Sequence, residues 1–446
     1  MKKTVLICFT YILSLLPVLA QSQYDFSLLR QDDKIEIDST DDKSFYSSIK
    51  QIPLSNPGSY LSFGGSYRGQ YERFRNENFS DEDDPDNGWY LQRFLLHAHA
   101  QLGNNFSIFG EVGSSTISGK ENLAPVDKDE LYVNQLFVQF TKDNVTFKVG
   151  RENLKIGSRR LVDPREGPNV RRSFDHASLF IALGESRFRA FAGKPMQPQF
   201  GIFDNDFLTD DESIWGLYGE RLFNISDFHL DAYYIGNFQE QAEYELGIED
   251  ETRHSLGARI WGTNGKWGFD NEAIIQFGTF GDTNILAWTA SVNTWLDVTE
   301  KHRLGIKSEL ISGDREGGAL NTFNPLYPRG AYFGRVARFG PANLIDIHPY
   351  WNFTKGKLFI EIDYDVFWRF TTDDAVYDPA LNLVLGANAN GGLIAHQIGT
   401  LFSYEFSPFA AIELETNYIL TADFIDNSVQ NGANLVHMVF TTQLRF

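Results

Sequence analysis

The chain has 446 residues, with 15% aromatic residues, 22% charged residues and a formal charge of −20. So acidic a balance argues against a nucleic-acid partner. The single cysteine, Cys8, lies in the first twenty residues and excludes a disulfide framework or a cysteine-bound metal in the rest of the chain.

Lys2 and Lys3 precede an apolar run from Val5 to Leu19, and Val18-Leu19-Ala20 before Gln21 has the small-residue character of a cleavage site. Residues 1–20 are therefore expected to be a secretory signal peptide, too short in its apolar part to be a spanning helix. Its loss with Lys2 and Lys3 takes the formal charge to −22. Residues 21–57 form a short periplasmic segment ahead of a barrel over 58–446, and they are too few for the plug domain of an active receptor. Past Ala20 the sequence has no uninterrupted apolar stretch of membrane-spanning length, so any membrane crossing is made by strands.

Period-two alternation begins at Ser59. Leu61, Phe63, Tyr67 and Tyr71 share one face while Ser62, Ser66, Arg68, Gln70 and Glu72 share the other. Eighteen such segments follow in order: 59–74, 89–103, 105–114, 129–141, 145–151, 172–184, 186–194, 213–222, 228–237, 253–262, 266–278, 283–296, 301–312, 343–354, 357–370, 394–405, 409–421 and 434–446. In 357–370 the division is sharp, with Leu358, Ile360, Ile362, Tyr364, Val366 and Trp368 opposed to Glu361, Asp363, Asp365 and Arg369. Short connections such as Gly103-Asn104-Asn105 alternate with long ones such as 75–88, 152–171, 238–252 and 313–342. Short periplasmic turns and long extracellular loops in that rhythm, on an even strand number, describe an all-β transmembrane antiparallel barrel with both termini in the periplasm. The last segment carries Val436, Met438, Phe440, Thr442, Leu444 and Phe446 on one face, and this aromatic end resembles the signal that the barrel-assembly machinery reads. The aromatic excess suits the two girdles at the membrane interfaces, where contact with outer-membrane lipid and lipopolysaccharide is expected.

A barrel of about eighteen strands is wide enough for an aqueous lumen. Its wall carries both signs of charge, which are expected mostly to pair across neighbouring strands and stiffen it. The acidic run of Glu77, Asp81, Glu82, Asp83, Asp84 and Asp86 reads as a solvated loop. Between Arg151 and Arg172 the balance reverses, with Arg151, Lys155, Arg159, Arg160, Arg165, Arg171 and Arg172 against Glu152, Asp163 and Glu166. Folded inward, this segment would place guanidinium forks where an anion must pass, because planar Arg donors bind carboxylates bidentately. His97 and His99 face the lumen beside Arg93, without an identifiable third metal ligand, and read as wall polarity. The sequence has no phosphate loop, paired-carboxylate signature or nucleophile elbow, so neither an enzyme nor a cofactor or metal is expected.

Several stretches are similar to the alginate export family. They are Leu29-Arg30-Gln31-Asp32-Asp33, Tyr60-Leu61-Ser62-Phe63-Gly64-Gly65-Ser66-Tyr67-Arg68, Gln92-Arg93-Phe94-Leu95-Leu96-His97-Ala98-His99, Val149-Gly150-Arg151-Glu152-Asn153-Leu154, Gly157-Ser158-Arg159-Arg160-Leu161-Val162, Arg172-Ser173-Phe174-Asp175 and Thr322-Phe323-Asn324-Pro325-Leu326-Tyr327-Pro328-Arg329-Gly330. The resemblance implies an eighteen-stranded outer-membrane barrel whose arginine-rich constriction passes an acidic polysaccharide, with the first-strand arginine at Arg68, the second at Arg93 and the Gly-Arg after the fifth strand at Arg151. Ser66 and Gly69 stand where the family often has charged residues. The expected pore-lining set is Arg68, Arg93, Arg151, Arg159, Arg160, Arg172 and Arg329, and the expected cargo is an anionic polysaccharide or acidic sugars. The rival readings are a weakly selective diffusion porin and, remotely, a barrel enzyme.

The mature protein is expected to begin near Gln21. Mass spectrometry of the membrane fraction checks this, and an intact Met1 there would refute it.

Overall fold

The computed structural model describes residues 24–35, 45–80, 87–225, 227–315, 317–387, 389–430 and 432–446; the expected leader and the acidic residues at 81–86 lie outside these. Among the described residues, eighteen strands pair antiparallel into one closed ring. They are β1 Tyr60–Arg75, β2 Asn87–Leu102, β3 Phe106–Ser118, β4 Asp129–Lys142, β5 Val145–Glu152, β6 Phe174–Leu183, β7 Ser186–Pro195, β8 Glu212–Ile225, β9 Phe228–Tyr244, β10 Gly247–Asn264, β11 Trp267–Phe280, β12 Thr283–Asp297, β13 His302–Ile311, β14 Leu344–Lys355, β15 Leu358–Arg369, β16 Leu393–Ser407, β17 Ala410–Thr421 and β18 Leu435–Arg445. Each pairs with its chain neighbour, and β18 closes on β1 from Val436↔Arg75 to Arg445↔Ser66. No described helix is long and apolar enough to cross a membrane, and the strands make the crossing.

The pleat sends alternate side chains outward and inward. Outward positions expose large apolar groups without partners, as Phe147, Leu217, Leu304 and Ile362 do at 46%, 60%, 52% and 44%. Such exposure would be intolerable in water over this area, and is what a hydrocarbon surround requires. The buried apolar cluster lies instead inside the ring. There Leu154, Leu161 and Val162 from the β5–β6 loop and Phe323, Tyr327, Phe333 and Phe339 from the β13–β14 loop pack against inward wall residues Ile214, Tyr218, Ile274, Ile311 and Phe367.

The connection 238–252, expected as a long loop, is a protruding hairpin in which β9 and β10 continue to a turn at Glu245-Leu246. Its acidic run suggested a loop: Glu240, Glu243, Glu245, Glu249 and Asp250 are exposed, and Glu251 alone of its acids is buried. Arg253 grips Glu251 with two bonds of 2.8 Å, and both side chains are fully buried.

The described part of the segment ahead of the barrel lies at the end of the ring that holds Gly65 and Phe446. Tyr24–Asp25 pairs with Lys34–Ile35, and the connection between them enters the lumen. Arg30 donates to the carbonyl of Gly65 at 2.8 Å and to Phe446 at 3.2 Å, while Gln31 reaches Glu152 at 3.2 Å.

Reversing polarity on the outer face should harm folding far more than a change on the inner one. Ile362→Arg is expected to cost about 2–4 kcal/mol near mid-membrane, and Glu361→Gln little; heat-modifiable gel mobility with urea titration compares them.

Candidate functional site in the lumen

Two long loops fold into the barrel and meet there. Asp163 N–H donates to the Tyr327 carbonyl and Tyr327 N–H to that of Leu161, both at 2.9 Å, so the β5–β6 loop (153–173) and the β13–β14 loop (312–343) are joined backbone to backbone. The inward position of 153–173 is held at its ends by two buried amides. Asn153 Nδ2 donates to the Arg172 carbonyl at 2.9 Å and to Asn134 on β4. Asn169 Nδ2 donates to the carbonyls of Thr116 and Asp127 at 3.0 Å and of Gln92 at 3.3 Å. A buried amide satisfied this fully fixes a loop against a wall, because releasing it strands polar groups in a closed space.

The loop then lies across the arginines of the first two strands. Arg68 and Arg93 are partners in register. Arg68 donates to three successive carbonyls, those of Glu166, Gly167 (3.1 Å) and Pro168 (2.9 Å). Arg93 pairs with the Glu166 carboxylate and reaches the Pro168 carbonyl at 3.3 Å, and Arg171 meets the same carboxylate at 2.5 Å. Burial pushes the Glu166 carboxyl up, but the guanidinium groups of Arg171, Arg93 and Arg68 outweigh it and hold the group well below the usual carboxylate range.

The other expected arginines fall into separate places. Arg160 crosses the lumen to Glu272 on β11 (3.1 Å) and to Glu309 and Tyr332. Arg329 stacks on the Tyr332 ring at 5.2 Å, Arg172 lies over Tyr327 at 4.9 Å, and Arg159 pairs with Asp163 at 3.1 Å. Arg151 is a correction to the expected convergence. On β5 the inward residues are Lys148 and Glu152, bound to each other at 2.7 Å, whereas Arg151 has the parity of lipid-exposed Phe147 and Val149. There it forms a two-bond pair with Asp175 at 2.8 Å, beneath Phe207 of the β7–β8 loop. Gly150 beside it has φ +133, and a Cβ would meet the Leu136 carbonyl at 2.3 Å, so the Gly-Arg pairing serves backbone packing. His97 and His99 line the inner wall against Phe109.

Sequence reasoning passed over Arg335, whose loop carried no alternation to place it. It spans from the β13–β14 loop to Glu413 and Glu415 on β17 and donates to Thr441 on β18 at 2.7 Å. Arg335, Arg68 and Arg171 meet Arg30 and Arg445 around a cavity of about 230 Å³, in which Glu166 and Glu413 are the acidic residues. A second cavity of about 200 Å³ shares Arg335 and opens along Glu72, Trp89 and Lys120.

The Alginate export family profile matches residues 59–438. The chain belongs to the alginate export family. Solved barrels of similar fold include Pseudomonas aeruginosa OccK8 (OprE), at 12% identity and TM-score 0.59 over 86% of this chain and 98% of that one. Another is Acinetobacter baumannii OccAB1, at 12% identity and TM-score 0.58 over 86% and 97%. The P. aeruginosa OpdK structure with vanillate has 12% identity and TM-score 0.57 over 86% and 98%. No curated protein sequence matches the chain. This alginate export family protein is thus an outer-membrane channel built as a porin-like barrel, and not an enzyme.

Asn169→Ala should free the inward loop, giving larger and noisier single-channel currents while the barrel stays folded. Because the folded Glu166 carboxyl titrates below its unfolded value, its contribution is complete above the ordinary carboxylate range of about 4.3 and is lost only as pH falls through its depressed value. Conductance is accordingly expected to be unchanged between about pH 7 and pH 5.

Proposed function

We propose that the channel passes acidic polysaccharide of the alginate type, or acidic sugars, along the lumen path between β1, β2, β17 and β18. The observation that carries this reading is the imbalance at the 230 Å³ cavity, where Arg30, Arg68, Arg171, Arg335 and Arg445 face Glu166 and Glu413. Arg68 spends its donors largely on neutral backbone carbonyls, so its positive charge is solvated without being cancelled. Arg68 Nε and Arg171 Nη1 are buried without a hydrogen-bond partner, leaving donor capacity for a passing carboxylate. In a narrow low-dielectric passage such a field concentrates anions and repels cations, as rings of Arg and Lys do in anion pores.

Arg159, Arg160, Arg172 and Arg329 belong to the same reading in a supporting position, since Arg160 and Arg172 join the β5–β6 loop to Tyr332 and Tyr327 of the β13–β14 loop while Arg159 and Arg329 hold Asp163 and Tyr332 within their own loops. Arg151 is excluded from it by its place on the outer face. Residues 21–57 are proposed as a periplasmic segment of the channel itself, with Arg30 lining the mouth.

Planar-bilayer recordings across a salt gradient test the proposal. Wild-type channels are expected to prefer anions and to be blocked by oligouronates, with the preference weakening toward 1 M salt as the screening length falls to about 3 Å. Arg68→Glu with Arg335→Glu should move reversal potentials toward cation preference and remove the block. Arg151→Gln should weaken the fold and leave selectivity alone. An unselective wild-type channel, indifferent to uronates, would make a general diffusion porin the better account.

A further inference from the structure

The wall formed by β13, β14 and β15 gathers acid. Asp346 and His348 share the inward face of β14, and Asp365 lies beside them on β15. The three are 1%, 7% and 0% exposed, and one ligand atom from each comes within 4.8 Å of the others. Asp363 stands 4.0 Å from His348 Nε2, and Glu309 is the cross-strand partner of Asp346.

This concentration of buried carboxylates has no adequate counter-charge in the wall. Arg160 serves Glu309, and the Lys307 ammonium lies over the Tyr350 ring. Asp346 Oδ1 and His348 Nε2 are buried without a hydrogen-bond partner, while Asp365 Oδ1 lies against His348 Nδ1. Stranding two such atoms beside a second buried carboxylate is costly, and the cost is removed if a cation completes them. The surroundings also orient the donors. Gln397 Nε2 holds the far oxygen of Asp365 at 3.0 Å and the Phe333 carbonyl at 2.8 Å, the kind of outer support that fixes metal-binding carboxylates. The β14–β15 ladder pairs Ile347 with Val366 and resumes at Tyr350 and Asp363, and between them stands Pro349, which has no N–H to donate.

We propose that Asp346, His348 and Asp365 form a binding site for one divalent zinc ion in the barrel wall. Two carboxylate oxygens and one imidazole nitrogen match zinc chemistry, whose metal–ligand distances of about 2.0–2.2 Å put tetrahedral ligand atoms roughly 3.3–3.6 Å apart, so the three donors, within 4.8 Å of one another, would draw in on the ion. Calcium and magnesium prefer oxygen shells and fit this set less well. The ion would place two positive charges where two buried carboxylates now face each other, and would tie β14 to β15 at the interrupted ladder.

The full-length barrel, folded in detergent and stripped with chelator, provides the test. Isothermal titration with zinc should show one site per chain, insensitive to excess calcium. Asp346→Asn and His348→Gln should each weaken it at least tenfold while heat-modifiable mobility remains normal. Zinc K-edge absorption of the wild-type complex should show a single imidazole among oxygen ligands, which needs no variant to be folded. Absence of a stoichiometric site, equal affinity in the variants, or a zinc shell without imidazole would overturn the proposal and leave a proton shared between Asp346 and Asp365 as the means of neutralising the cluster.

Discussion

The structure depends on closure of the backbone hydrogen-bond ladder between β18 and β1. Hydrocarbon offers no partner to an exposed N–H or C=O, so a sheet in a membrane is stable only as a ring. That ring fixes the parity of every strand, because a slip of one residue would turn Arg68, Gln70 and Glu72 toward lipid and Tyr67 and Tyr71 toward water. The terminal residue takes part: the backbone of Phe446 exchanges bonds with Gly65 at 2.8 and 2.9 Å, and Arg30 caps the same carbonyl.

Closure creates a second problem, since a ring of this size encloses more space than its wall side chains can fill. The two inward loops fill it by carrying an apolar core of their own into the lumen, so that the interior is packed over part of its section and open along the rest. Cavities of about 230 and 200 Å³ remain beside β1, β2, β17 and β18. The loops keep their place through charge as well as packing, because Glu166 gathers three arginines and Arg160 reaches across to Glu272 and Glu309.

The lumen is therefore electrically divided. Arginine dominates the side of the proposed passage, and carboxylate dominates the wall of β13 to β15. Arg160, bound to Glu309 and stacked near Tyr332, ties the β5–β6 loop to this acidic wall. The Arg151–Asp175 pair shows the alternative fate of an arginine in such a barrel. On the outer face its charge is met by a bidentate pair with Asp175, by the Val133 carbonyl and by the Phe207 ring.

The sequence by itself determined the barrel, its strand number and the inward face of most strands, because alternation with period two is a local property that lipid outside and water inside must both satisfy. The alternation of short turns with long loops, the Arg68 and Arg93 positions and the excess of base between 151 and 172 were legible for the same reason. Tertiary structure decided the rest. Whether residues 153–173 point in or out depended on Asn153 and Asn169 finding carbonyls on β2, β3 and the loop itself, contacts with no local signature. Arg151 lies one residue from inward-facing Glu152, and its basic surroundings masked the parity that turns it outward. Arg335 joined the arginines of β1 and β18 from a loop hundreds of residues away in sequence, and Asp346, His348 and Asp365 met across two strands whose charges, taken one strand at a time, look like ordinary wall polarity. In each case the deciding quantity was a distance between side chains that only the closed ring and its inward loops bring together.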